Sequence, residues 1–191
     1  MSETDCAEDD DLMGRAGRGD SAAFSRLVAR HGRRAGGLAA RFLGNRGEAE
    51  EIVQEAFTRL WIKARSWEPG GAQVSTWLHR VVVNLCLDRK RRPGTDPLDA
   101  ASDVADPSPR GDEIVLAGER SRRVQRAVAA LPDRQRAALV LCHFDEMSNV
   151  EAAAVLEISV GAIESLLVRA RRSLREALDD LAPGLAAGRN A

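Results

Sequence analysis

Between Glu48 and Arg92 the apolar residues recur at the three-to-four spacing of buried helix faces. Over 48–64, Ile52, Val53, Ala56, Phe57, Leu60 and Trp61 make one stripe, and Glu48, Glu51, Gln54, Glu55, Thr58, Arg59 and Lys63 fill the opposite face. A second stripe follows in Trp77, Leu78, Val81, Val82 and Leu85. Arg80, Asn84 and Arg91 lie beside it at helical spacing, and Arg89-Lys90-Arg91-Arg92 closes the helix before Pro93-Gly94. One side of this second helix is built to pack. The other carries an amide and guanidiniums, a surface suited to phosphates and base edges. Taken alone, a plain solvated face is the commoner reading of such a helix.

The pattern upstream is weaker. Residues 1–9 are expected to be disordered and Asp10 to Arg18 to form a short helix. Asp20 is a good N-cap for a helix over 21–43, whose apolar face is Phe24, Leu27, Val28, His31, Leu38 and Phe42, with His31 read as packed rather than ligating. Gly44 to Gly47 reads as a turn. A loop over 66–72 surrounds Pro69-Gly70-Gly71, with Ser75 as the cap of the Trp77 helix. Trp67 either anchors that loop or offers a stacking platform for a base.

Downstream the character changes. Residues 93–112 hold Pro93, Pro97, Pro107 and Pro109 among Asp, Ser, Gly and Ala, the composition of a linker. Helical periodicity returns over 113–130, with Ile114, Val115, Val124, Val128 and Leu131 inward, and again over 133–144. Ser148 and Glu151 make a capping box for Asn149 to Leu156. Glu157-Ile158-Ser159 is a turn, and a long helix runs from Val160 to Leu181 until Pro183-Gly184. On it Ile163, Leu167, Ala170 and Leu174 face in, Ser165, Arg169 and Arg172 face out, and Arg171 and Arg175 lie at the edges. The expected fold is therefore all-α: two small helical domains, over 10–92 and 113–182, on a flexible linker over 93–112.

A short capped helix, a three-residue turn and a longer helix with outward arginines, Asn149 to Leu167, describe a helix-turn-helix. Small Ala153 sits where the helices pass closely, and Ile163 plugs the second helix into the core. An ordinary helical hairpin is the competing reading.

Composition narrows the function classes. Of 191 residues 44% are apolar and 30% charged, and Tyr is absent, as suits a helical, soluble chain. Net charge is −1, but the average hides basic patches at 89–92 and 169–175 against acid at 3–11 and 96–113. No apolar run approaches the roughly 20 residues of a membrane span, and no basic-then-apolar leader stands at the N-terminus, so the expected location is cytoplasmic. Cys6, Cys86 and Cys142 are far apart and form no metal or disulfide framework. Cys86 and Cys142 are expected to pack as small hydrophobes, and Cys6 to be exposed. His31, His79 and His143 are isolated, and there is no Gly-rich phosphate loop or nucleophile-base set. Neither an enzyme, a metal nor a cofactor is expected.

Two segments carry a family resemblance. Residues 131–178, LPDRQRAALVLCHFDEMSNVEAAAVLEISVGAIESLLVRARRSLREAL, resemble the fourth conserved region of extracytoplasmic-function (group 4) sigma factors of the sigma-70 family. Residues 47–92, GEAEEIVQEAFTRLWIKARSWEPGG…STWLHRVVVNLCLDRKRR, resemble their second region. Both stand in order around a short variable linker. The helix-turn-helix alone also resembles LuxR-type regulators, a rival reading that leaves 47–92 unexplained.

The resemblance implies a subunit that binds core RNA polymerase, directs it to promoter DNA and helps melt the −10 element. Glu51, Gln54, Glu55 and Arg59 match the docking surface for core polymerase. Arg80, Asn84, Asp88 and Arg91 match the −10 reader, with an unstacked base held near the 66–75 loop. Ser165, Arg169, Arg171 and Arg172 match the −35 reader. An anti-sigma partner is implied, a membrane-anchored one included, in a response to metal, oxidative or envelope stress. Three departures stand out. Glu164 and Leu166 replace a basic residue and an arginine, so −35 preference should differ, and Glu157 replaces the turn glycine, so the turn should be less tight. The acid of 3–11 is expected to screen a basic face of the free protein.

Overall fold

Every regular element is a helix in the computed structural model, which describes residues 3–91 and 122–179. In chain order they are α1 (Glu3–Gly17), α2 (Ser21–Leu43), α3 (Arg46–Ala64), α4 (Val74–Arg91), α5 (122–129), α6 (Asp133–Leu139), which continues as a π-turn through Val140–Phe144, α7 (Asn149–Leu156) and α8 (Val160–Ala177). The all-α expectation holds. The linker over 93–112, Arg92, Ile114, Val115 and the tail beyond 179 lie outside the described residues.

Caps set the first boundaries. Asp20 Oδ1 accepts from the Ala23 amide at 3.0 Å and starts α2. Gly44, at φ 72, ends it in the left-handed conformation that glycine adopts without a Cβ clash. Asn45 Oδ1 then accepts from the Glu48 amide at 3.2 Å, so α3 begins at Arg46, inside the stretch expected to be all turn. Ser75 is not the cap of α4. The helix already includes Val74, and its first carbonyl partner is Gln73, which accepts from the Trp77 amide at 3.0 Å.

The N-terminus departs most from expectation. The stretch expected to be disordered is helical from Glu3, and α1 packs on α2 and α3 through Leu12, Met13 and Ala16. Glu8 and Asp9 have local partners. Asp9, 2% exposed, pairs with Arg30 at 2.7 Å, and its second oxygen lies 2.7 Å from His31 Nε2. Glu8 also pairs with Arg30, at 2.6 Å, and that carboxylate is the main reason the Arg30 guanidinium is raised above its usual pKa. Charge pairing organises this helix, where apolar periodicity gave little signal. At Gly17 a Cβ would collide with the Ala64 carbonyl, so glycine permits the α1–α3 approach.

The first core is filled by Met13, Leu27, Leu38, Phe42, Leu60 and Leu78, all fully buried. Phe24 adds edge-to-face contacts with Trp61, at 4.9 Å between centroids, and with Phe57. Val28 and Val124, expected to face inward, are instead 37% and 38% exposed. Cys86 is fully buried as expected, Cys142 half-buried, and Cys6 half-buried rather than exposed.

The two halves touch. α7 packs on α4, the π-turn packs on α2, and one apolar cluster runs through both. Buried polar groups join them too. Arg136, 3% exposed, donates to the Val128, Ala129 and Leu131 carbonyls at the end of α5 and to the Phe42 carbonyl of α2 at 3.1 Å. Asp145, 4% exposed, lies 3.7 Å from Arg41 and 3.5 Å from His79, while its carbonyl accepts from Arg34.

Candidate nucleic-acid interface

The helix-turn-helix is fixed by side-chain caps at both starts. Ser148 Oγ accepts from the Glu151 amide at 3.2 Å, and Glu151 Oε2 accepts from the Ser148 amide and hydroxyl at 2.8 Å each. The Ser148 hydroxyl, then its amide, holds the Glu151 carboxyl below the usual range. Ser159 Oγ caps α8 through the Ala162 amide at 3.2 Å. Between them Glu157 takes the left-handed conformation at φ 54, and the Ile158 amide returns to the Ala153 carbonyl at 3.1 Å. The turn is therefore tight despite lacking glycine, against the expectation. The cost is carried as backbone strain at Glu157. Ala153 and Ile163 are buried at the crossing, as the sequence indicated.

α8 presents one exposed face, polar except for Val168 at 63% exposure. Ser165, Arg169, Arg171 and Arg172 all lie on it, together with Glu164 and Arg175. Arg169 Nε donates to the Ser165 carbonyl at 3.2 Å, and Arg172 Nε to Glu176 at 2.9 Å. Arg171 reaches His143 at 3.3 Å. Leu166 is half-buried against the core, which accounts for an apolar residue there.

On α4, Asn84, Asp88 and Arg91 are exposed, with Arg91 3.9 Å from Asp88. Arg80 is half-buried and donates to Glu157 of the helix-turn-helix at 2.9 Å. Burial holds the Lys90 ammonium below its usual pKa. The loop before α4 is tied to α1. Trp67 Nε1 donates to Asp10 Oδ1 at 2.7 Å, and the Gly70 amide to Asp10 Oδ2 at 2.9 Å. Gly70 has φ 77, so the turn requires glycine there. Trp67 also packs on the core, which makes it a loop anchor rather than a free stacking platform.

The outer face of α3 exposes Glu51, Gln54, Glu55 and Arg59, with Ile62 beside them at 64% exposure. Glu51 pairs with Arg89 of α4 at 2.8 Å, and Glu55 with Arg59 at 2.9 Å. The Glu51 carboxylate is the main cause of the raised Arg89 pKa.

Both halves have relatives. The family description "Sigma-70 region 2" matches residues 27–94, and "Sigma-70, region 4" matches 121–174. The chain is 34% identical over 175 residues to the ECF RNA polymerase sigma factor SigW of Bacillus subtilis, covering 86% of this chain and 93% of that protein. The chain belongs to the ECF sigma factors. SigM of Mycobacterium tuberculosis is likewise 34% identical, over 93% of this chain and 88% of its own. Among solved structures, CnrH in complex with the cytosolic domain of CnrY aligns with TM-score 0.67 and 31% identity, covering 91% of this chain and 98% of that one. RpoE of Bartonella quintana, solved with the anti-sigma factor NepR, shares the fold at TM-score 0.64 and 24% identity, over 82% of this chain and 96% of its own.

As an ECF sigma factor the protein is a transcription initiation subunit and not an enzyme. It binds core RNA polymerase and promoter DNA. Among the described residues no helix is long and apolar enough to cross a membrane. Three features of this sigma factor escaped sequence reasoning: the Asp10 tether of the loop, the Arg80–Glu157 pair, and the Arg136 and Asp145 clusters between the halves. Asp10 stands far in sequence from its partners, and only the fold brings them together. Arg136 left one trace, a charge at a position on α6 that the apolar residues around it mark as inward.

Proposed function

We propose that the two exposed readers of this sigma factor divide the promoter between them. Ser165, Arg169, Arg171 and Arg172 of α8 read the −35 element in the major groove. Arg80, Asn84, Asp88 and Arg91 of α4 read the −10 element as it melts. Glu51, Gln54, Glu55 and Arg59 of α3 dock core polymerase. The observation that carries this is one chain exposing a doubly capped helix-turn-helix and, on α4, a second polar face of opposite task. The domains are residues 10–92 and 113–182, with Glu8 and Asp9, just ahead of the first, paired to its Arg30. Glu8, Asp9, Asp10 and Asp11 are already engaged with Arg30, His31, Trp67, Gly70 and Arg15, which removes the support for these four screening a basic patch elsewhere.

The protein acts in the cytoplasm under an anti-sigma factor, in a stress or metal response. The anti-sigma complex of the RpoE neighbour supports this control. A membrane-anchored anti-sigma factor fits the same scheme. In the compact arrangement Arg80 is held by Glu157, so promoter engagement requires the two halves to separate at that contact.

The test is run-off transcription with sigma-free core polymerase and a library of promoter fragments. Specific transcripts whose −10 and −35 sequences respond separately to substitutions in α4 and α8 are expected. A footprint on duplex DNA without polymerase, and no transcripts, would instead support a LuxR-like regulator.

A further inference from the structure

We infer that Asp10 is a positioning residue for promoter opening: its carboxylate holds the loop over 65–73 in the shape that receives an unstacked −10 base. The inference rests on the −10 assignment proposed above and adds to it a residue from outside the second region as matched, which begins at residue 27.

Asp10 lies on α1, 57 residues from Trp67 and 60 from Gly70. Its two oxygens take different jobs. Oδ1 accepts the indole N–H of Trp67 at 2.7 Å, and Oδ2 accepts the backbone N–H of Gly70 at 2.9 Å. One contact fixes a side chain and the other the main chain. Together they clamp the loop at two points three residues apart. Between them Glu68 closes a turn by accepting the Gly71 amide at 3.3 Å, and Gly70 supplies the positive φ. The rest of the loop is exposed: Arg65, Ser66, Glu68, Pro69, Gly70, Gly71, Ala72 and Gln73 offer no packing of their own. Trp67 packing and the Ser66–Lys63 contacts fix the start of the segment; beyond Trp67, Asp10 is its tie to the packed helices.

The clamp is rigid from behind. α1 is fastened to α2 by the Asp9–Arg30 pair and the Asp9–His31 contact, and to α3 at Gly17. Asp10 therefore transmits the position of a packed helix to an exposed loop. Capturing a base out of the stack opposes an unstacking cost of a few kcal/mol. A pocket already in shape spends less of its binding free energy on ordering itself. That is the physical reason for a carboxylate at residue 10.

Holoenzyme assembled from core polymerase and the full chain would be bound to forked promoter DNA, single-stranded through the −10 element. Each base in turn is replaced by an abasic residue. The native protein should lose about tenfold in affinity at one position, the weight of one stacked or hydrogen-bonded base. Asp10→Asn keeps the size but sets an amide N–H₂ against one of the two N–H donors. It should reduce the base-to-abasic ratio at that position to about twofold, roughly the residue of an unshaped pocket, with core affinity unchanged. Trp67→Phe, which removes one donor and leaves Asp10, should fall between. A purely structural Asp10 would lower the amount of competent holoenzyme but leave the ratio intact.

A native ratio in Asp10→Asn and Asp10→Ala overturns the proposal while the −10 assignment stands. If the native protein transcribes yet shows no sensitive position, base capture by this loop fails, and the proposal with it. If it does not transcribe with core polymerase at all, both fail.

Discussion

Arg80 of α4 and Glu157 in the turn between α7 and α8 form an ion pair at 2.9 Å across 77 residues of chain. The acidic partner is the one non-glycine residue of that turn in the left-handed conformation, at φ 54. The same side chain thus strains the turn and bridges the halves. Glu157→Gly should relieve about 1 kcal/mol of backbone strain. It removes an exposed pair worth about 0–1 kcal/mol. Urea unfolding should therefore show unchanged or slightly higher stability. At the same time Arg80 is released, and affinity of the free protein for a single-stranded −10 oligonucleotide should rise a few-fold. A stability loss above about 2 kcal/mol would show the pair to be worth far more than a surface contact.

Arg136 offers the opposite case, a cation whose partners are mostly carbonyl oxygens. It satisfies chain ends of α5 and a carbonyl of α2, and its guanidinium lies 5.3 Å from the Phe42 ring centroid. Asp133, 3.8 Å away, is the acid beside it. Burial lowers its pKa, the mark of a charge held where solvent is scarce. Arg136→Met should leave buried carbonyls unpaired and cost about 3 kcal/mol or more. Arg136→Lys should recover only part, since an ammonium cannot span the fork of acceptors. Chemical denaturation of the three proteins decides this. Equal stability of Met and Arg at 136 would sink the account.

These contacts mark the limit of what periodicity conveys. The buried stripes of α3 and α8, the Asp20 cap and the Ser148–Glu151 box are local, each written within a few residues, and the structure reproduces them. α1 is not legible from periodicity because Glu8 and Asp9 resemble a solvated tail until Arg30 and His31 are placed opposite. Val28 lies on the apolar stripe of α2 yet is left 37% exposed, a difference periodicity does not convey. The partnership of Arg80 with Glu157, or of Asp145 with Arg34, Arg41 and His79, depends on how one half meets the other. No spacing along the chain encodes that meeting.

Cys86 gives a prediction with a definite sign. Burial pushes its thiol up to about 12, from a model-compound value of 9.0. The unfolded chain therefore releases this proton near 9.0 and the folded protein only near 12. Between those values the unfolded state binds fewer protons, so stability falls as pH rises, with a limiting slope of about 1.4 kcal/mol per pH unit. Below that window the group contributes no pH dependence. Cys86→Ala should flatten the decline above pH 9 in urea unfolding. In the native protein at pH 8, below the 9.0 of the free thiol, Cys86 should resist a thiol reagent until denaturant is added. Reaction of Cys86 at the rate of a free thiol would contradict its burial.

Glu164 carries the remaining question, which bases the −35 reader prefers. It is exposed on α8 next to Ser165, and no described contact engages it. A carboxylate repels phosphate but accepts a hydrogen bond from a cytosine amino group. Arg169, by contrast, suits phosphate or guanine. Glu164→Arg exchanges an acceptor for a forked donor, so the preferred base at one −35 position should shift from cytosine to guanine. The change in discrimination should be about 1–3 kcal/mol at that position and small elsewhere. Arg172→Ala, which removes a proposed base reader whose charge is already shared with Glu176, should relax discrimination at its own −35 position and leave the other positions unchanged. Run-off transcription on a library randomised through the −35 element reads both effects at once. If Glu164→Arg raises affinity for all sequences alike, Glu164 faces the backbone and not a base. The departure from a basic residue would then weaken promoter binding without redirecting it.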